Sequence, residues 1–359
     1  MAKSERVLLT GNQAAAEGAV RAGCRFYFGY PITPQNDLPE YMSARMPEVG
    51  GTFLQAESEL AAISLVHGAA AAGAKVMTTS SSPGISLKQE GISYMTGSQL
   101  PALIVNVQRA GPGLGDVRCA QADYWQATRG GGHGDYFCLV LAPHTVQETC
   151  DLSALGLDLA MKWRNPVLVL SDQQLGQMME PVDLPPMADA TLQDPPWALT
   201  GAAGGREHHV IRSYFGRPGE LVEWNRQIKA KFERMAVEEV RCEEVDTEDA
   251  EVVLVAYGTS ARLSKAVVQR CRQRGQKVGL LRPITLWPFP AAAVRALAEQ
   301  GKRFLAVEMS YGQMVEDVRL AVEGRAAVDL LSTFGGEVPR TADIEKKAVA
   351  MLTATGKKR

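Results

Sequence analysis

Three short segments of this sequence carry side chains whose type and setting suit a reaction. The first is Gly29-Tyr30-Pro31-Ile32-Thr33-Pro34, directly after a strand-like run. Its two prolines fix φ and restrict the residues before them, so the turn is stiff and holds the Thr33 hydroxyl in place. Thr33 also suits the N-cap of a helix beginning at Pro34, since proline fits the first helical position. The second segment is Gln55-Ala56-Glu57-Ser58-Glu59-Leu60, at a strand-to-helix junction. Ser58 or Glu57 can cap that helix, and acidic side chains are favoured in its first turn. Glu59 then leads into AAISLVHGAAAAGA, a small-residue helix expected to be buried. Desolvation against such a wall holds the proton on a carboxyl group, which suits a residue that must share one near neutral pH. A capping carboxylate with no further role fits the segment equally well. The third segment, Val105-Asn106-Val107-Gln108-Arg109-Ala110-Gly111, puts Arg109 at the carboxyl end of an apolar strand. Open α/β sheets bind ligands at that end, and a guanidinium fork suits a carboxylate or phosphate. A surface salt bridge is the other reading.

Two phosphate-loop patterns fail. Gly68 to Lys75 has a P-loop-like spacing, but Ala74 splits the Gly-Lys pair and the run goes from helix into strand. In Gly111-Pro112-Gly113-Leu114-Gly115 the last glycine comes one position early for a dinucleotide fingerprint, and Pro112 removes an amide. That loop reads as one of shape alone. His67, inside an apolar helix, reads as a packing histidine; His133, in GGGHGD, is placed in a turn with no assigned role.

The elements that must position these side chains follow from hydrophobic rhythm. Strands are expected at Val7–Thr10, Arg25–Gly29, Thr52–Gln55, Lys75–Thr79, Ala102–Gln108, Cys138–Ala142 and Val167–Ser171. Helices are expected between them at Ala14–Ala22, Pro34–Met46, Glu57–Ala72, Ile85–Thr96 and Val146–Trp163. Such alternation indicates α/β units on a mostly parallel sheet. Prolines from 181 to 218 break the pattern, and a charged helix follows near Glu220–Glu239. The rhythm resumes at Glu251, with strands at Val252–Tyr257, Lys277–Leu281, Phe304–Val307 and near Val328–Leu331. Helices there are expected at Ser260–Arg274, Pro290–Gln300 and Met314–Val322. The expected division is a first α/β domain at 1–185, a connector with an exposed helix at 186–250, and a second α/β domain at 251–359.

With 359 residues the chain has room for two cores. A net charge of −2 argues against a general nucleic-acid or anionic-membrane surface. No run approaches the ~20 apolar residues that span a bilayer, and no signal-peptide core follows the N-terminus, so a cytoplasmic protein is expected. Cys24, Cys119, Cys138, Cys150, Cys242 and Cys271 are scattered, which predicts isolated reduced thiols, no metal site and no iron–sulfur cluster held by this chain alone.

YPITP, ESELAAISLVHGAAAAGAKVMTTSSSPGISL and VNVQRAGPG, in this order and spacing, resemble the α-type, pyrimidine-binding subunit of 2-oxoacid:ferredoxin oxidoreductases. The likeness continues through QADYWQATRGGGHGDY, NPVLVLSD and GQMMEPV, and through LLRPITLWPFP and VEMSYGQMVEDVRLAV in the second domain. It covers nearly the whole chain and is closest to the branched-chain, 2-oxoisovalerate type. The resemblance implies a thiamine pyrimidine-binding-like domain followed by a transketolase C-terminal-like domain. It implies thiamine diphosphate with Mg²⁺ held between this chain and a diphosphate-binding β-type subunit. Glu59 matches the glutamate that hydrogen-bonds the aminopyrimidine ring nitrogen, with Pro31 and Ile32 beside the cofactor. Thr33 and Arg109 match residues that hold the 2-oxoacid carboxylate.

The further partners implied are a γ-type subunit, a ferredoxin-like subunit carrying [4Fe-4S] clusters, and ferredoxin, with coenzyme A as co-substrate. Gly115-Asp116 leads to Val117 and Gly134-Asp135 to Tyr136, so the G-D-G of a diphosphate-binding domain is missing. The chain is therefore expected to need partners. Alternatives are the same complex acting on 2-oxoglutarate, pyruvate or an arylpyruvate, a lipoamide-linked dehydrogenase subunit, and a non-catalytic assembly protein that keeps the fold. YPITP and VNVQRAG argue against the lipoamide-linked form.

Overall fold

The computed structural model describes residues 5–188 and 195–353 of the chain. Residues 189–194 of the expected connector and 354–359 of the expected second domain lie outside the described residues. In chain order the first part runs β1 (Glu5–Thr10), α1 (Gly11–Arg21), β2 (Phe26–Gly29), α2 (Asp37–Glu48), β3 (Thr52–Gln55), α3 (Glu59–Ala71), β4 (Val76–Ser80) and α4 (Ser82–Gly97). It continues with β5 (Ala102–Gln108), α5 (Tyr124–Arg129), β6 (Leu139–Leu141), α6 (Val146–Trp163), β7 (Pro166–Asp172), α7 (Gln173–Gln177) and β8 (Met179–Leu184). After α8 (Glu220–Glu238) come β9 (Cys242–Val245), β10 (Val252–Val255), α9 (Gly258–Gln273), β11 (Val278–Pro283) and β12 (Thr285–Trp287). The chain closes with α10 (Ala291–Glu299), β13 (Arg303–Glu308), α11 (Met314–Val322), β14 (Val328–Ser332) and α12 (Thr341–Thr353).

Two sheets carry the fold. The first has the order β12-β6-β7-β5-β4-β2-β3, and the second β14-β13-β10-β11-β9. In the first sheet every pairing is parallel except β12 with β6. Helices cover both faces, which is why β4, β5 and β7 are buried at every residue and are apolar over most of their length, turning polar toward their carboxyl ends. The expected strands are present. β8, β9 and β12 are additional, pairing antiparallel with β1, β11 and β6 respectively.

The two halves are tied together. β12 lies beyond residue 251 in sequence, yet it pairs with β6 on the edge of the first sheet. Asp172, at the end of β7, accepts from the Thr259 amide at 2.9 Å and the Thr259 hydroxyl at 2.6 Å. The Gln121 amide group donates to the Tyr257 carbonyl and accepts from Ser260 and the Met309 amide. α8 follows the charged helix expected from composition, but its Ile228, Phe232 and Met235 are buried. It is exposed on one face only.

Two local expectations change. The helix after YPITP begins at Asp37, so Pro34 is not its first residue and Thr33 does not cap it. Asn36 donates instead to the Thr33 hydroxyl at 3.3 Å. α3 is not buried all round: Leu60 is 48% exposed and Leu65 37%. All six cysteines are free, five of them buried and Cys242 half-buried. Among the described residues no helix is long and apolar enough to cross a membrane.

Candidate cofactor and substrate site

The carboxyl ends of β5, β4, β2 and β3 lie side by side, so the loops after them share one edge of the sheet. Thr33 comes from the loop after β2, Glu59 from the helix after β3, and Arg109 from the end of β5.

Ser58 caps α3 by accepting from the Ala61 amide, which fixes the start of the helix and places Glu59 at its first position. Glu59 is 6% exposed, and among the described residues its carboxylate has no hydrogen-bond partner. Opposite it, α4 presents Gly84. A β-carbon there would lie 2.5 Å from Glu59 Oε1 and 2.1 Å from Ser80 Oγ, so only glycine leaves the carboxylate in place. Ser80 Oγ and Ser81 Oγ are buried with no partner either. The wall facing Glu59 is therefore not purely apolar, as the small-residue helix suggested, but a polar cradle built by the start of α4.

The other side of that first turn meets Arg109. The Arg109 amide donates to Ser82 Oγ at 3.0 Å, and Ser82 in turn donates to Asp123 Oδ2 at 2.6 Å. Asn106 also donates to Asp123, at 2.9 Å. Desolvation pushes the Asp123 carboxyl up, with the bonds from Ser82 and Asn106 acting the other way. The Arg109 guanidinium is buried and donates to the Thr33 carbonyl at 2.9 Å and the Leu114 carbonyl at 3.0 Å. It thereby clamps the YPITP turn to the glycine-rich loop. Its Nε is buried without a partner. In that loop Gly115 has φ 62°, and a β-carbon would lie 1.8 Å from the Ala110 carbonyl oxygen, so the close return past Arg109 requires glycine.

Arg109 and Thr33 are thus in direct contact, and Glu59 sits on the far side of the α4 first turn. Pro31 is exposed and Ile32 half-exposed on the same edge. A cavity of about 310 Å³ opens beside Arg109, walled by Pro83, Ala110, Pro112, Met309 and Phe334, with Asp123 at its side. His133 is exposed; His67 is half-buried, and burial pushes its imidazole down. Asp116 pairs with Arg118 on the surface. Among the described residues no group of three or more His, Cys, Asp or Glu side chains gathers to hold a metal.

Sequence reasoning missed Ser80, Ser82, Gly84, Asn106 and Asp123, although SSSPG after a buried strand was a usable sign of a tight polar turn. It also missed Lys88. This lysine of α4 is wholly buried and donates to Thr78 Oγ1 at 2.7 Å.

Comparison with known proteins places this arrangement. Residues 17–242 match the family model for the thiamine-diphosphate-binding region of pyruvate flavodoxin/ferredoxin oxidoreductases, and residues 250–344 match core domain II of pyruvate:ferredoxin oxidoreductase. The ketoisovalerate oxidoreductase subunit VorB of Methanothermobacter marburgensis is 51% identical over 340 residues, covering 95% of this chain and 96% of the relative. The 2-oxoglutarate synthase subunit KorA of the same organism is 34% identical, covering 97% of this chain and 100% of the relative. Among solved structures, the 2-oxoglutarate:ferredoxin oxidoreductase of Magnetococcus marinus superposes with a TM-score of 0.85 at 26% identity. That match covers 98% of this chain and 66% of the other.

The chain belongs to the thiamine-diphosphate-binding 2-oxoacid:ferredoxin oxidoreductases. It is one subunit of a heteromeric enzyme of this class, which oxidatively decarboxylates 2-oxoacids.

Proposed function

We propose that this chain supplies the pyrimidine-binding face of the thiamine diphosphate site in a complex that converts a branched 2-oxoacid, 2-oxoisovalerate, to its acyl-CoA. The observation that carries the reading is Glu59, a buried carboxylate with no partner among the described residues, facing a glycine that keeps space open beside it. Leaving such a group unpaired is costly unless a ligand completes it. An aminopyrimidine ring nitrogen is a group of the right kind. When bound, thiamine diphosphate supplies a nucleophilic carbon and an electron sink. Glu59 holds a proton at the pyrimidine nitrogen, with Pro31 and Ile32 bordering the ring. Arg109, through its unpartnered Nε, and the Thr33 hydroxyl orient the substrate carboxylate.

The diphosphate and its Mg²⁺ belong to a β-type partner, because this sequence has no G-D-G segment. A γ-type subunit completes the complex, and a ferredoxin-like partner carrying [4Fe-4S] clusters would take the two electrons and hand them to ferredoxin. One 2-oxoacid anion and one coenzyme A thiol give one acyl-CoA, one CO₂, one proton and two electrons. The complex works in the cytoplasm. Leu60 and Leu65 on α3, with Leu87 and Tyr94 on α4, are exposed apolar side chains on the two helices that flank Glu59, which suits a partner closing over the cofactor.

Two observations support the branched substrate. The cavity beside Arg109 mixes apolar walls with the hydroxyls of Ser82, Ser86 and Ser310, and among its described lining residues there is no second cation to receive the distal carboxylate of 2-oxoglutarate. The 51% identical relative is named for ketoisovalerate, and the 34% identical one for 2-oxoglutarate. The test is native co-purification followed by a panel of 2-oxoacids with coenzyme A and a viologen dye. Partners carrying thiamine diphosphate and iron–sulfur clusters should travel with the chain, and 2-oxoisovalerate should give the highest kcat/KM. Glu59→Gln should assemble normally and lose at least ~100-fold in turnover, the usual scale for a positioned proton-transfer group. A chain that purifies alone, with no turnover when partners are supplied, favours the non-catalytic reading.

A further inference from the structure

Lys88 is an unusual residue in this fold. Lysine is almost never fully buried unless it is paired, because an ammonium group loses its hydration there. Yet Lys88 has no exposed surface, and among the described residues its one hydrogen-bond partner is a neutral hydroxyl, Thr78 Oγ1, at 2.7 Å. It lies on a distinct stripe of α4. Gly84, Lys88 and Gly91 follow one another at i, i+4 and i+7, which puts them on one helical face. That face is turned to α3. A β-carbon at Gly84 would meet Glu59 at 2.5 Å, and one at Gly91 would meet Ile63 Cγ1 at 2.6 Å. Glu59 and Ile63 are themselves one turn apart on α3. The two glycines bring the helices together, and Lys88 lies between them on that stripe, its ammonium reaching Thr78 of β4.

The charged neighbours of Lys88 are few. On α3 the titratable groups are Glu59 and His67, and Glu59 is the one that acts on Lys88. β4 and β5 contribute hydroxyls and amides but no charged side chain. β7 contributes Asp172, which Thr259 engages. On α4 itself, Glu90 is exposed and accepts from Tyr94. Desolvation pulls the Lys88 ammonium down to about 7, while the Glu59 charge pulls it back up. Lys88 therefore carries its charge below about pH 7 and loses it above.

We propose that Lys88 is a positioning residue of the pyrimidine site: a buried counter-charge, one helical turn from the glycine that touches Glu59, that steadies the Glu59 carboxylate for the cofactor ring. A cation near a carboxylate favours its charged form. As pH rises through about 7 Lys88 discharges, and that support is withdrawn. The inference rests on the reading of Glu59 as the pyrimidine partner.

The experiment uses the assembled complex freed of cofactor. Thiamine diphosphate with Mg²⁺ is titrated in by tryptophan fluorescence between pH 5.5 and 9, and kcat/KM is measured over the same range. The native complex should show an alkaline limb set by Lys88 in both profiles. In Lys88→Met that limb should vanish, leaving the native high-pH affinity throughout. Lys88→Arg, charged at every pH tested, should also lack the limb but keep the native low-pH affinity. Affinity and kcat/KM profiles of Lys88→Met that overlay the native ones would overturn the proposal. Should Lys88→Met fail to assemble, Lys88→Arg decides, because a native alkaline limb in that variant equally refutes a role for Lys88. Glu59→Gln run alongside separates the two readings. If it binds cofactor and turns over normally, the Glu59 assignment fails; if it is impaired while both Lys88 variants keep native profiles, only the Lys88 proposal fails.

Discussion

Arg109 holds the site together at the scale of single side chains. Two of its donors hold the carbonyls of Thr33 and Leu114, and its Nε is buried with no partner among the described residues. Arg109→Ala should therefore raise KM for the 2-oxoacid at least tenfold, with much less effect on KM for coenzyme A. Equal effects in steady-state kinetics would show that the residue serves only to clamp the loops. Arg109→Lys keeps a charge but not a planar fork, so it should recover little. Arg109 was legible in the sequence because a charged residue at the end of an apolar strand is conspicuous. Lys88 was not, since a lysine within a helix is ordinarily solvated and nothing in SLKQEG shows it pointing inward. Its burial follows from Gly84 and Gly91, whose role emerges only when α3 is laid against α4.

At the scale of elements, the parallel strands were readable because strands buried on both faces are apolar over most of their length. β12 was not, being three residues between prolines. β8 fell in a stretch whose prolines suggested a connector; it is an edge strand of a two-stranded ribbon, where Pro181 is tolerated. α3 shows the opposite error. Its alanines suggested complete burial, but Leu60 and Leu65 face outward in the isolated chain. Leu65→Glu should leave the fold intact, because an exposed position away from caps and core changes stability by about 0.5 kcal/mol or less. It should nonetheless prevent co-purification of the β-type partner. Retention of the partner at native stoichiometry would move the interface elsewhere.

For the molecule as a whole, the two sheets are fastened by a few buried polar groups rather than by a flexible tether. Asp172 accepts from Leu175, Thr259 and Cys119, so replacing it by Ala strips donors on both sides of the junction. We expect a loss of about 2–3 kcal/mol, visible as a lower Tm in calorimetry of the complex. A Tm unchanged within error would mean that Asp172 does not fasten the halves. This junction also shapes the site, since Met309 and Phe334 of the second half wall the cavity beside Arg109.

The crossing of β12 into the first sheet also sets an order of events during synthesis. β6 emerges from the ribosome more than a hundred residues ahead of the strand that covers it, because Leu141 and Thr285 are that far apart in the chain. Until then the first sheet carries an open hydrogen-bonding edge, the kind of surface that invites pairing with a neighbouring nascent chain. A fragment ending near residue 250 would keep that edge for good. Expression of the cofactor-binding half alone should therefore yield aggregates, and adding the 285–287 segment, not lengthening the connector, is what would make it well behaved.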